Sequence, residues 1–130
     1  MQEVYDFLKK CGTYYLATAE SDQPRVRPFG TIDLFDGKLY IQTGKNKDVS
    51  KQIAANPKIE ICASDGGSWI RVKANAIDDD SLKARQHMLD SYPMLQGRYS
   101  ADDGNMQVLY LKDAVAAIYS FVGEPKVIRF

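Results

Sequence analysis

The sequence predicts a mainly β fold with flanking helices, a small antiparallel barrel of six to seven strands forming one domain over residues 1–130. Short apolar runs alternate with polar residues at period two. They are separated by turn clusters such as Ser21-Asp22-Gln23-Pro24, Asp36-Gly37 and Asp65-Gly66-Gly67. Only three segments carry helical spacing. At 130 residues the chain can bury a core without disulfides or metals.

Each element follows from its residues. Val4, Phe7 and Leu8 lie at helical spacing, and Gly12 is a stop signal, so a short amphipathic helix opens the chain. Residues 14–19 read as a strand. A second strand, residues 25–34, is interrupted by Pro28 and Gly30. Asp36-Gly37 makes a hairpin between residues 31–35 and 38–42. A helix over 46–55 starts at Asn46 as N-cap, turns Val49 and Ile53 inward, and stops at Asn56-Pro57. It lies between strands and is expected to cover one open end of the barrel. Ile59, Ile61 and Ala63 alternate with Lys58, Glu60 and Cys62. Residues 68–77 form a long strand in which Trp69 and Arg71 oppose Ile70 and Val72. Asp78 to Ser81 cap a helix over 82–89, since acids favour a helix start. Pro93 and Gly97 bracket an irregular stretch, and residues 102–105 form a loop. Two closing strands, 107–111 and 114–121, precede a tail from Gly123 to Phe130.

Composition narrows the function. Lys plus Arg number 17, as do Asp plus Glu, so no net charge draws the protein to nucleic acid or membrane surfaces. An anion site must be local. Cys11 and Cys62 lie far apart without C-x-x-C spacing and read as reduced thiols. The opening MQEVYDFLKK does not resemble a signal peptide, and no apolar run approaches the ~20 residues of a membrane helix. A soluble, cytoplasmic protein is expected.

The motifs of hydrolases, of dinucleotide binding and of phosphate loops are absent. The lone histidine, His87, has no second metal ligand at helical spacing, and reads as a solvent-facing or lightly packed side chain. No metal site is expected, and an enzyme of this composition would rely on a cofactor for its chemistry.

What remains is cationic. Arg25 and Arg27 share one strand face. Pro28 removes a backbone donor after them, and Gly30 permits close approach to the backbone. Beyond the hairpin come Gln42, Thr43 and Gly44, then Lys45, Lys47 and Lys51 around a helix start, where the helix dipole disfavours cations. The hairpin would bring Arg27 towards residues 43–47, where two cations, a hydroxyl and helix-start N–H groups make a pocket for a phosphate. From spacing alone, a merely solvated basic surface remains the competing reading.

Residues 14–63 resemble the pyridoxamine 5′-phosphate oxidase-like, FMN-binding split-barrel family in its short members. The matching pieces are "YYLAT", "PRVRP", "YIQTGKNK" leading into "KQIAANP", then "SWIRVKANA" and "MQVLYLKDAVAAIYSFVGEP". The resemblance implies a split barrel that forms a homodimer with FMN at the subunit interface. It assigns Arg27 to the cofactor phosphate, Val26 and Pro28 to the flavin ring edge, and Gln42 and Thr43 to the neighbouring strand end. Lys47 falls in the phosphate turn, with Lys51 a turn later. Trp69 stands where full-length oxidases place a polar side chain near the ring. Ile32 stands near where those enzymes have a substrate-phosphate lysine, so vitamin B6 oxidation is not expected. The implied activity is an oxidoreductase passing electrons from a nicotinamide or other donor to a small acceptor. Two alternatives use the same barrel: a single-stranded nucleic acid binder with Arg25, Arg27, Tyr40 and Trp69 on its face, and a cofactor-free dimeric stress or binding protein.

Overall fold

The computed structural model describes all residues, 1–130. Eight strands and three α-helices follow in the order α1 (Gln2–Cys11), β1 (Tyr14–Glu20), β2 (Gln23–Phe29), β3 (Asp33–Phe35), β4 (Lys38–Gly44), α2 (Asp48–Ala55), β5 (Lys58–Ser64), β6 (Ser68–Asp78), α3 (Leu82–Ser91), β7 (Met106–Ser120) and β8 (Lys126–Arg129). A 3-10 turn, Pro93–Gly97, lies between α3 and β7. All strand pairs are antiparallel, in the order β2-β1-β5-β6-β7-β4-β3, with β8 on the flank of β7. β2 and β3 do not pair with each other, so the barrel is split. No helix is long and apolar enough to cross a membrane.

The period-two pattern sorts the strands as expected. Ile59, Ile61 and Ala63 face the core, as do Ile70 and Val72. They join Val4 and Leu8 of α1 and Val49 and Ile53 of α2 in one buried cluster. A second cluster forms under α3, where Ala84, Met88 and Leu89 meet Tyr40, Met106 and Val108. Ser81 caps α3, its Oγ accepting from the Ala84 N–H at 3.1 Å.

Eight strands appear for three reasons. The expected strand 25–34 is two strands, because residues 30–32 cross the split instead of pairing. The expected closing pair is one bent strand, β7. Asp113 adopts φ 52° and the facing register shifts between Lys73 and Asn75, so the chain bends and pairing continues. The tail is β8, docked on residues 115–118 with Ala114 and Phe130 exchanging backbone hydrogen bonds. Asn46 is not the cap of α2. Lys47 holds that position and no side chain caps the helix. The Asn46 N–H donates instead to Asn105 Oδ1, which pulls residue 46 into the turn.

The crossing at 30–32 is held by side chains. Thr31 Oγ1 accepts from the Gln42 N–H at 3.1 Å and faces the Gln42 carbonyl at 3.5 Å. The buried Tyr14 hydroxyl donates to the Thr31 carbonyl at 2.6 Å. The Tyr92 hydroxyl accepts from the Ile32 N–H and donates to its carbonyl, both at 3.1 Å. His87 is lightly packed, its side chain 40% exposed, but it is not without partners. Its Nδ1 lies 2.6 Å from the buried Asp33 carboxylate, which also accepts from Ser91, and its ring packs on Phe35. A lone histidine in sequence carries no sign of a carboxylate 54 residues away.

Tyr14→Phe removes the donor to the Thr31 carbonyl and leaves a buried acceptor without its partner. Unfolding in urea is expected to show a loss of about 1–3 kcal/mol with an unchanged denaturant slope. A midpoint equal to wild type would mean that water replaces the hydroxyl.

Candidate functional site

A cavity of about 360 Å³ opens at the split, within the range of about 300–1,000 Å³ typical of small-molecule sites. Arg27 to Thr31 form one wall, Gln42 and Thr43 a second, Lys47 and Val49 at the start of α2 a third. Tyr92 to Tyr99 supply the fourth.

Arg27 is the most constrained of these side chains. It is half-buried on β2, an edge strand with two prolines, which suits an edge because proline donates no ladder bond. Its guanidinium donates to the Leu16 carbonyl at 3.1 Å, to Thr18 Oγ1 at 2.8 Å and to Gln52 Oε1 at 2.6 Å. Thr18 in turn donates to Gln52 Oε1, and Gln52 donates to Glu20 at 3.3 Å. Every direct partner of Arg27 is uncharged. Burial and the neighbouring Arg25 lower its pKa and Asp48 raises it, but a guanidinium stays protonated in proteins.

Three other arginines are neutralised within the fold. Arg25 pairs with Glu20 at 2.9 Å, Arg71 with Glu60 at 2.6 Å and Arg85 with Asp80 at 2.8 Å. The Arg25 and Gln52 bonds hold the Glu20 carboxyl below its ordinary range. Arg27, Lys47 and Arg98 line the cavity, none of them meets a carboxylate within 4.0 Å, and no acidic residue shares the lining. Gln42 adds an open acceptor. It is 7% exposed, its Nε2 donates to the Thr43 carbonyl at 3.0 Å, and its Oε1 has no protein partner. The site is therefore cationic, with an uncommitted acceptor on the largely buried Gln42 side chain.

The turn before α2 is clamped from the far side. The Lys45 N–H donates to the Asn105 carbonyl at 2.7 Å, and the Asp103 carboxylate accepts from the N–H groups of Ser100, Asn105 and Met106. Gly44 sits where these segments meet. A Cβ there would lie 2.9 Å from Asn46 Oδ1, 3.0 Å from the Tyr99 hydroxyl and 3.1 Å from Asn105 Nδ2.

Residues 1–117 match the family model of pyridoxamine 5′-phosphate oxidase. The chain belongs to the pyridoxamine 5′-phosphate oxidase family. A NimC/NimA family protein from Clostridium acetobutylicum is 42% identical, with a TM-score of 0.96 over 100% of this chain and 92% of that one. General stress protein 26 from Bacillus anthracis str. Sterne shares the fold at 18% identity and TM-score 0.73, covering 99% of this chain and 98% of that one. So does a Clostridium acetobutylicum protein related to general stress protein 26, at 15% identity and TM-score 0.68, covering 99% and 92%. A search of curated proteins gives no match.

In this oxidase-family chain, Arg27, Pro28, Gln42, Thr43 and Lys47 of the expected site residues come together in the cavity. Val26 is 68% exposed and lines an adjoining hollow with Arg25, Arg27 and Lys47 and the acids Glu20 and Asp48. Lys51 lies outside, bordering a groove with Glu20 and Ser21, because one helical turn carries it past the mouth. Lys45 faces a different hollow with Asp80 and Arg85. Trp69 is also outside, stacked on Tyr119 at 5.4 Å. The face imagined for single-stranded nucleic acid does not assemble, since Tyr40 is 2% exposed and its hydroxyl donates to Asp79.

Thr18, Gln52, Tyr92, Arg98 and Tyr99 were not foreseen. Gln52 and Thr18 carry no motif, and residues 92–99 read only as an irregular stretch. Gly44→Ala is expected to cost about 1–3 kcal/mol through overpacking, seen as a lowered urea midpoint. A wild-type midpoint would mean that the turn relaxes without strain.

Proposed function

We propose that the cavity holds FMN and that the protein is an FMN-dependent oxidoreductase working as a homodimer. The observation that carries this is Arg27, a half-buried cation bound only to uncharged acceptors and facing a cavity without acids. A phosphate monoester brings about 1.5 to 2 negative charges, and Arg27 with Lys47 supplies two positive ones beside a helix start. Gln42 Oε1 would accept from a ring donor. The Pro28 edge of β2 and Thr43 would flank the ring, with Val26 next to them. Family membership supports the same choice of cofactor.

FMN would supply reversible two-electron chemistry, received from a nicotinamide or another donor and given to a small acceptor. The protein's share is binding and orientation. The Thr18-Gln52 pair fixes the Arg27 guanidinium, and the Tyr92 side chain and the 30–32 crossing shape the cavity walls. A second chain is favoured by the exposed Val26, Phe121 and Val122, and it could bring the Trp69-Tyr119 pair towards the cavity. Oxidation of pyridoxamine phosphate is not proposed. Ile32, where a substrate-phosphate lysine would be expected, is 1% exposed and belongs to the core.

Flavin fluorescence titration of apoprotein tests the site. Arg27→Ala should weaken FMN by about 2–5 kcal/mol, roughly 30-fold to several thousand-fold, and riboflavin far less. Lys47 is exposed, so Lys47→Ala should cost less, about 1 kcal/mol. FMN affinity unchanged in both variants would remove the phosphate assignment. Sedimentation of FMN-loaded protein should give twice the chain mass, and a monomer would remove the interface. Reduced nicotinamide should reduce the bound flavin, whereas pyridoxamine phosphate should give no pyridoxal phosphate. Robust pyridoxal phosphate formation would reverse the substrate exclusion.

A further inference from the structure

We infer that Arg98 is a separate anion subsite, one that takes the carboxylate of a small apolar or aromatic acid bound beside the cofactor. The inference rests on the cofactor reading above and specifies the substrate class of the same site. It follows first from charge. The cavity lining carries three cations and no acid, while a phosphate monoester is matched by Arg27 and Lys47. Arg98 is the cation left over. Its side chain makes no hydrogen bond or ion pair within the protein, unlike those of Arg25, Arg71 and Arg85.

The backbone that carries Arg98 is nonetheless anchored, while its side chain is exposed. Arg98 follows the 3-10 turn, its N–H donating to the Leu95 carbonyl at 2.9 Å. The turn is pinned to the barrel where the Tyr92 hydroxyl bonds both backbone groups of Ile32. The same wall presents Tyr92, Met94 and Leu95 to the cavity, and Met94 is 79% exposed. An unpaired, exposed guanidinium on an anchored backbone, beside uncovered apolar side chains, suits a ligand with one carboxylate on an apolar body. A planar guanidinium can grip both oxygens of a carboxylate, which a lysine cannot.

The test uses FMN-loaded protein with benzoate and its uncharged counterpart benzamide as probes, read by the change in flavin absorbance. FMN uptake is measured first. Wild type should bind benzoate about ten-fold more tightly than benzamide, or more, as expected of one charge-assisted contact. Arg98→Gln should bring benzoate down to the benzamide level, and Arg98→Lys should keep part of the preference. Both variants should hold FMN within about two-fold of wild type. Equal affinity of wild type for the two probes, including no binding of either, overturns the subsite. So does benzoate affinity that survives Arg98→Gln. FMN loss in Arg98→Gln as large as in Arg27→Ala would reassign Arg98 to the phosphate. If wild type takes up no FMN, the cofactor reading falls and the subsite falls with it.

Discussion

The barrel cannot close at residues 30–32, and the rest of the molecule is arranged around that gap. Neighbouring strands would normally take the backbone groups there, because a buried N–H or carbonyl left unpaired costs free energy. Here side chains take them: Thr31 answers Gln42, the Tyr14 hydroxyl takes the Thr31 carbonyl, and Tyr92 takes both groups of Ile32. The three come from three parts of the chain, so the crossing is stable only once β1, β4 and the end of α3 are in place. The gap is thereby kept open and given rigid walls. A cavity can persist there without a strand collapsing into it.

Charge is distributed with the same economy. Most buried or half-buried cations in folded proteins find a carboxylate, and Arg85 does so with Asp80. Arg27 is instead supported by a carbonyl, a hydroxyl and an amide oxygen. Neutral acceptors position the guanidinium and satisfy part of its hydrogen bonding without cancelling its charge. Glu20, the nearest acid in the network, is engaged by Arg25 and reaches Arg27 only through Gln52. Gln52 thus links α2, β1 and β2 in one small network. The cavity keeps a positive potential that an anionic ligand can use.

The fourth wall is independent of this network. Residues 92–99 follow α3, pack through Tyr92, Leu95 and Tyr99 on the second core, and reach the 30–32 crossing through the Tyr92 hydroxyl. Arg27 and Lys47 on one side and Arg98 on the other are therefore carried by different parts of the fold. The 42% identical Clostridium acetobutylicum structure shares this architecture along its length, whereas relatives at 15–18% identity share the fold alone.

Much of this was legible from residue order. The alternation at Ile59-Ile61-Ala63 and Ile70-Val72 determined which faces are buried, because period two leaves a strand one apolar face. Asp36-Gly37 determined a hairpin, both residues lying at positive φ as a tight turn of this kind requires. Arg27 and Pro28 stood out by their strand spacing and Lys47 by its place at a helix start, while Gln42 and Thr43 were marked by the family resemblance. Tertiary structure alone decided the remainder. Asn46 was drawn from the cap by Asn105, a partner 59 residues away. β7 runs through Asp113 because β6 offers a matching register shift, and β8 exists because β7 has a free flank to receive it. Within one chain, Lys51 stands off the cavity by helix phase and Trp69 by its stacking on Tyr119. Arg98 entered the site because α3 and Tyr92 place its loop across the split. Local spacing reports which way a side chain points from its own element. Which element stands opposite, and whether it brings a carboxylate, is settled only when the whole chain has packed.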